Sequence, residues 1–363
     1  MKKLHELLGL PLCKGDIGVE VEVEGENLYA IDTETWRTED DGSLRGKFPS
    51  QRSEYVMKQP VAANAVDKAI SSLVKAQKNA TLNFSFRTSV HVHINVQELA
   101  EQEMLAFLYL CLLLEEPLMN YCGEERQGNR FCLRFRDAEG YDETLNKLFS
   151  HGYRYIRDLR GDAIRYSAIN IHALRKYGSI EFRGMRGTLD EDVLRNWTGA
   201  LLQLRDKAVE YGSPVAVYND YIGKDNTKFF ADCFGKYADA FNYPELEGAM
   251  NQSFSLTLDL PHRFKNRKAY AEPVVGVVHD DEVPRAFNAP PPALPCKRPL
   301  IELLAWPQVE KQYDELNTDH WTHARRISKF VELLRKATQD LYENELIGLP
   351  VIPEVAVVDM PIN

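Results

Sequence analysis

The stretch GDIGVEVEVEG, residues 15–25, alternates with unusual strictness. Ile17, Val19, Val21 and Val23 fall on one parity, and Glu20, Glu22 and Glu24 on the other. The period of two predicts a strand with one aliphatic face and one face bearing a row of carboxylates. Same-face neighbours on a strand stand roughly 6.5–7 Å apart, and at an effective dielectric of about 20 two such charges repel by roughly 2–2.5 kcal/mol. Two readings follow. The strand lies at an exposed edge with a polar outer face, or counter-charge gathers over the carboxylates, for which Mg²⁺ and Mn²⁺ are suited.

The chain has 363 residues, enough for one large domain or two ordinary ones. A net charge of −10 argues against a protein that coats nucleic acid or an anionic membrane. His5 and Glu6 interrupt the apolar start, so no signal peptide is read. MLAFLYLCLLL at 104–114 is too short to span a bilayer and predicts a buried helix. The six cysteines form no CxxC pair, and a reducing cytoplasm is the expected home.

Strands are predicted at 17–24, 27–32 and 53–57, and SVHVHIN at 89–95 alternates again. Helices are predicted over 61–78 and 97–116, the second ending near Pro117. RYSAINIHAL (165–174) and GSIEFRG (178–184) read as two paired strands. Thr188-Leu-Asp-Glu191 has capping-box spacing and opens a helix to about Tyr211, with more helix over 225–250. The order of elements suggests an α+β fold, a mainly antiparallel sheet with helices on one side. Neither GxxxxGK[ST] nor GxGxxG occurs.

Three further signals bear on chemistry. Ser89, His91, His93 and Asn95 share one face of SVHVHIN, and two histidines at i, i+2 can ligate a metal, contact phosphate or be structural. In SIEFR, Glu181 and Arg183 share a face and either pair with each other or divide metal and phosphate between them. Between 126 and 186 lie eleven arginines and two lysines, which suggests a polyanion site in an otherwise acidic chain.

The series GVEVEVEG, DGSLR, EYVMKQP, SVHVHIN, RYSAIN and SIEFRGMRGT, followed by Trp197, resembles the phage and bacterial amidoligase family from about residue 15 to 210. These are carboxylate–amine ligases of the glutamine synthetase and glutamate–cysteine ligase fold. The resemblance implies a curved sheet of that type. It implies ATP and Mg²⁺ (or Mn²⁺), and amide formation through an acyl phosphate. It assigns Glu20, Glu22, Glu54, His91 and Glu181 as metal ligands, with His93 as an ATP contact. Arg183 would hold phosphate, and Arg165 and Asn170 would position the nucleotide or acyl phosphate. Glu24 has no firm counterpart.

Residues 1–255 are expected to form the catalytic domain. Residues 256–299, with eight prolines between 261 and 299, are expected to form an extended linker or arm, and 300–363 a helical extension. Expected partners are small-molecule or peptide carboxylates and amines, with no nucleic acid or membrane and with self-association open. Two other readings compete: a phosphotransferase on the same fold, and a non-catalytic nucleotide-binding scaffold.

Overall fold

The alternating stretch forms β1 (Ile17–Glu26), and its four aliphatic residues Ile17, Val19, Val21 and Val23 are all but fully buried. In this computed structural model, residues 2–45, 51–83, 85–159 and 163–267 are described, together with Leu333 and Lys336. β1 is followed by β2 (Trp36–Glu39), β3 (Arg52–Met57), β4 (Thr81–Leu82), β5 (Ser89–Asn95), β6 (Ile169–Asn170) and β7 (Ser179–Arg186). The strand order is β2-β3-β1-β5-β7-β6, every pair antiparallel, and β4 pairs with the far end of β1. The sheet is open. β1 lies between β3 and β5, so its acidic row is interior to the sheet and the edge-strand reading is wrong.

Thirteen helices occupy the rest of the described residues. Before β6 they are α1 (Leu4–Leu8), α2 (Val66–Ala76), α3 (Glu101–Leu113), α4 (Glu115–Tyr121), α5 (Tyr141–His151) and α6 (Tyr153–Asp158). After β6 come α7 (Ala173–Tyr177), α8 (Glu191–Tyr211), α9 (Pro214–Ile222), α10 (Asn226–Phe234), α11 (Ala238–Phe241), α12 (Leu246–Thr257) and α13 (Leu260–Asn266). α3 is buried continuously from Met104 to Leu113, because it is apolar on every side and is wrapped by α8, α9 and α12. α8 also packs on β5, and α4 on β7. The aliphatic sheet face is thereby closed off from water, leaving the polar face as the accessible one.

Several local expectations are revised. Residues 27–32 are not a strand; that role passes to β2, whose Trp36 is buried and donates its indole N–H to the Ala69 carbonyl. RYSAINIHAL gives only the two-residue β6, because Ala163–Tyr166 turns as a 3-10 helix and Ala173–Tyr177 is α7. The N-cap of α8 is Asp190, which accepts from the Asp192 and Val193 N–H groups, while Thr188 accepts from Asp190 N–H one step earlier. Pro117 does not end the long helix. It sits in the first turn of α4, where its missing N–H costs little, and α3 and α4 bend by 62°. No single helix among the described residues is long and apolar enough to cross a membrane. The bent pair α3–α4 passes that test only by length and composition.

α12 runs across the expected boundary at residue 255, and α13 is helical where an extended arm was expected to begin, with Pro261 in its first turn. Residues Met1–Ala271 form one compact unit. The remainder of the expected arm and the C-terminal extension lie outside the described residues, apart from Leu333 and Lys336.

One irregularity positions the polar face. The register between β5 and β7 runs Val90↔Met185 and then Val92↔Phe182, so β7 carries one extra residue, a β-bulge. Beyond it the side-chain parity reverses, and Arg186 stands opposite Ser89. Met119 of α4 presses on Gly184 inside the bulge: a Cβ there would come 2.6 Å from its sulfur. Arg126, only 1% exposed, serves the carbonyls around this break. Its Nε donates to Gly184 O at 3.0 Å and its Nη2 to Arg183 O at 3.0 Å. Its Nη1 donates to Phe86 O and Thr88 O at 3.2 and 3.1 Å. A guanidinium has the planar fork and donor count for this; an ammonium does not. Arg126→Met should therefore cost roughly 3–5 kcal/mol of stability, because a buried charge-assisted hydrogen-bond set is lost, although Phe86 O keeps Asn129 and Thr88 O keeps the Gly187 N–H. Urea unfolding checks it. Arg126→Lys should recover only part of the loss; full recovery would show that charge alone is what the site needs.

Candidate functional site

The sheet register brings the acidic and imidazole side chains together. Glu20 is opposite His91, and Glu22 is opposite Glu54 on the other flank of β1. His93 is opposite Glu181, and Glu181 is opposite Asn170. Five candidate ligands from β1, β3, β5 and β7 thus occupy one face of four adjacent strands, because the period of two holds in each of them.

His91 is the centre of the cluster and is buried. Its Nδ1 lies 3.4 Å from Glu20, 3.9 Å from Glu22 and 3.8 Å from Glu181, one carboxylate oxygen of each. Its Nε2 shares a 2.8 Å hydrogen bond with the Ser89 hydroxyl, and that hydroxyl donates to Glu22. A hydroxyl has one proton to give. With it given to Glu22, Nε2–H of His91 is the donor to Ser89, and Nδ1 is left facing three carboxylates. That position suits a cation.

Glu181 is buried and doubly held. Asn170 donates to one oxygen at 2.6 Å and Arg183 donates to the other. Burial raises its carboxyl, but the Arg183 charge and then the two imidazoles outweigh this and hold it down at about 2. For Glu20, burial likewise pushes up, and the hydrogen bond and charge of His91 with the charge of His93 bring the net value below the ordinary one. Glu54 has no such partner among the described residues. Burial, then the charges of Glu20 and Glu22, push it up to about 7. His93 is pushed down by burial, and its Nδ1 lies 3.1 Å from the Ser179 hydroxyl.

The groove has two distinct ends. Toward Asn95, Gly18 continues the acidic row without a side chain. The space beside it belongs to a cavity of about 250 Å³ lined by Glu20, His93, Ser179, Tyr177 and Met57 among others. A larger cavity, about 480 Å³, lies between α5 and α13 and includes none of the candidate ligands. It is set aside as a site for this chemistry, since it lacks the carboxylates.

The remaining assignments divide. Asn170 holds Glu181 and is thereby a positioning residue. Arg165 is exposed, its guanidinium 5.8 Å from the centre of the Tyr166 ring, and none of its contacts is with the carboxylates. Glu24 accepts from the Arg45 N–H and stays outside the cluster. Of the eleven arginines, Arg183 is the one among the described residues that meets the cluster. Arg126, Arg157, Arg175 and Arg186 donate to backbone carbonyls, and Arg134 and Arg136 pair with Glu116. The polyanion reading of that segment narrows accordingly. Ser89 was legible only as a small polar residue sharing a face with the histidines, and Ser179 reaches His93 only through the β5–β7 pairing.

Carboxylate oxygens and an imidazole nitrogen are the donors that a hard divalent cation takes, so the residues fit one in chemistry. No group of three His, Cys, Asp or Glu side chains among the described residues forms a finished cage. Glu181 is turned to Arg183 and Asn170, and Glu22 to Ser89.

Residues 51–204 match a family model described as a putative amidoligase enzyme. Over this stretch the chain is similar to the amidoligase family. It contains Glu54, His91, His93, Asn170, Glu181 and Arg183, while β1 with Glu20 and Glu22 precedes it. Amidoligases are ligase-type enzymes. No curated protein matches the chain.

Glu54 gives this arrangement a testable pH signature. The folded chain holds its proton up to about 7, whereas the unfolded chain loses it near the ordinary 4.5. Between those values the folded state binds more protons, so this residue's contribution to stability falls as pH rises through the window. Glu54→Gln should gain thermal stability over the wild type on going from pH 5 to pH 8, in metal-free buffer. An advantage that does not change with pH would contradict the crowding of Glu54 by Glu20 and Glu22.

Proposed function

We propose that the amidoligase-like segment is an ATP- and Mg²⁺-dependent carboxylate–amine ligase working through an acyl phosphate, on a sheet of the glutamine synthetase type. What supports the reading is the convergence of Glu20, Glu22, Glu54, His91 and Glu181 on one polar sheet face with Arg183 among them. An open antiparallel sheet with helices on its aliphatic face and acidic residues on the other is consistent with that type.

Divalent metal held by these five residues would neutralise phosphate oxygens and align the nucleotide. The chain's own residues do the rest. Asn170 and Arg183 fix the orientation of Glu181, and Ser89 fixes Glu22. Among the described residues Arg183 Nε is buried and has no hydrogen-bond partner, so the guanidinium has a donor to spare for a phosphoryl oxygen. His93 stands between Glu20 and Ser179, over the cavity that Gly18 opens. In the first step a substrate carboxylate oxygen bonds to the γ-phosphorus as the bond to ADP breaks. In the second an amine nitrogen bonds to the acyl carbon, loses a proton, and phosphate leaves.

The substrates proposed are small-molecule or peptide carboxylates and amines. Incubation with Mg-ATP and pooled amino acids, polyamines or cell extract should release ADP and phosphate with an amide seen by mass spectrometry. Hydroxylamine should trap the activated acid as a hydroxamate. Glu181→Gln should lower turnover by roughly a hundredfold or more while the chain still folds. A phosphorylated product with no amide would favour a phosphotransferase. A wild-type chain that binds no nucleotide would overturn the reading.

A further inference from the structure

Three arginine–aromatic pairs, Phe86-Arg87, Arg130-Phe131 and Arg165-Tyr166, are far apart in the sequence and adjacent in the fold. The Phe86 and Phe131 rings are near-parallel, 6.4 Å between centroids and 18° between planes. Tyr166 meets Phe131 edge-on at 6.1 Å. The Arg87 guanidinium lies 5.1 Å from Phe86 and 5.7 Å from Phe131, and Arg130 lies 5.0 Å from Phe131. Arg165 completes the series over Tyr166. These rings are not core. Phe86 is 51% exposed and Tyr166 is 38% exposed.

The three loops are built rather than loose. Asn129, itself buried, donates to Phe86 O at 2.7 Å and accepts from Phe131 N–H at 3.0 Å. Leu133 N–H donates to Tyr166 O at 2.7 Å. Arg126 holds Phe86 O from beneath. None of Arg87, Arg130 and Arg165 forms an ion pair among the described residues, although the chain carries a net charge of −10. Exposed rings interleaved with unpaired guanidinium groups suit a ligand with a flat π face and a negative charge.

The platform adjoins the carboxylate groove at the end opposite the small cavity. Phe86 is three residues before Ser89, the partner of Glu22, a reach of at most about 10 Å. Ala168, two residues after Tyr166, accepts from the Arg183 N–H. A nucleotide whose phosphates lie at Arg183 would bring its base within reach of the rings.

We propose that Phe86, Phe131 and Tyr166, with Arg87, Arg130 and Arg165, form a stacking platform for the purine base of the nucleotide. The proposal rests on the ATP-dependent reading above, and adds what recognises the base. Base stacking of this kind tolerates any purine, so ATP and GTP should bind with similar affinity, and both more tightly than inorganic tripolyphosphate.

Calorimetry on the full chain with Mg²⁺ tests this, using ATP, GTP and tripolyphosphate. Phe86→Ala and Phe131→Ala should each weaken ATP by about tenfold or more and leave tripolyphosphate unchanged. Phe131→Trp should restore ATP binding, which a merely structural ring would not require. Wild-type chain that binds ATP no better than tripolyphosphate overturns the platform while leaving the nucleotide reading standing. So do alanine variants that bind ATP normally, or lose both ligands alike. A short single-stranded oligonucleotide bound more tightly than ATP overturns it in favour of a nucleic acid ligand. Wild-type chain that binds neither ATP nor tripolyphosphate overturns the ATP-dependent reading itself.

Discussion

Like charge in the middle of a sheet is the constraint on which this structure turns. Glu20 and Glu22 cannot be relieved by moving to an edge, because β3 and β5 enclose their strand. They are met instead by His91 from β5 and by the Ser89 hydroxyl, while Glu181, a like charge beside Glu20, is itself paired with Arg183. Relief is uneven. Glu181 is held at about 2 and Glu54 is pushed up to about 7, so two carboxyls on the same face occupy opposite ends of the acid range. Such a separation is characteristic of sites that handle charge.

The surrounding architecture serves that face. The all-apolar α3 and its neighbours commit the other side of the sheet to the core, which leaves the polar side free. The bulge in β7 reverses parity after Arg183, and Arg126 satisfies the carbonyls that the break would strand. The same guanidinium grips Phe86 O, so one buried side chain links the end of the site to the exposed aromatic loops. Site and platform therefore share a mechanical foundation.

The strands with strict alternation were legible because a period of two survives any tertiary context that buries one face. β1, β5 and β7 are of this kind, and with them Glu20, Glu22, His91, His93, Glu181 and Arg183. Asn170 was legible as a polar residue of RYSAIN, but its hydrogen bond to Glu181 needed the β6–β7 register. Short or irregular elements were not legible. β2 has four residues, and its place depends on Trp36 reaching Ala69 in α2. The arginine-rich middle was legible only in bulk, not residue by residue. A guanidinium suits carbonyl clamps and ring faces as well as phosphate, and composition cannot tell these apart. The pairing of arginine with an aromatic at 86–87, 130–131 and 165–166 was visible in the sequence, but only folding brings the three together.

In the proposed mechanism these carboxylates and His91 share a divalent ion with bound nucleotide. Electron paramagnetic resonance of Mn²⁺ titrated into the full chain with a non-hydrolysable ATP analogue tests it most directly. The expected result is protein-bound Mn²⁺ in stoichiometric amount, lost in both Glu20→Gln and Glu181→Gln, with each variant still folded. A wild-type chain that leaves Mn²⁺ no more bound than the analogue alone would contradict it. Undiminished binding in both variants would do the same.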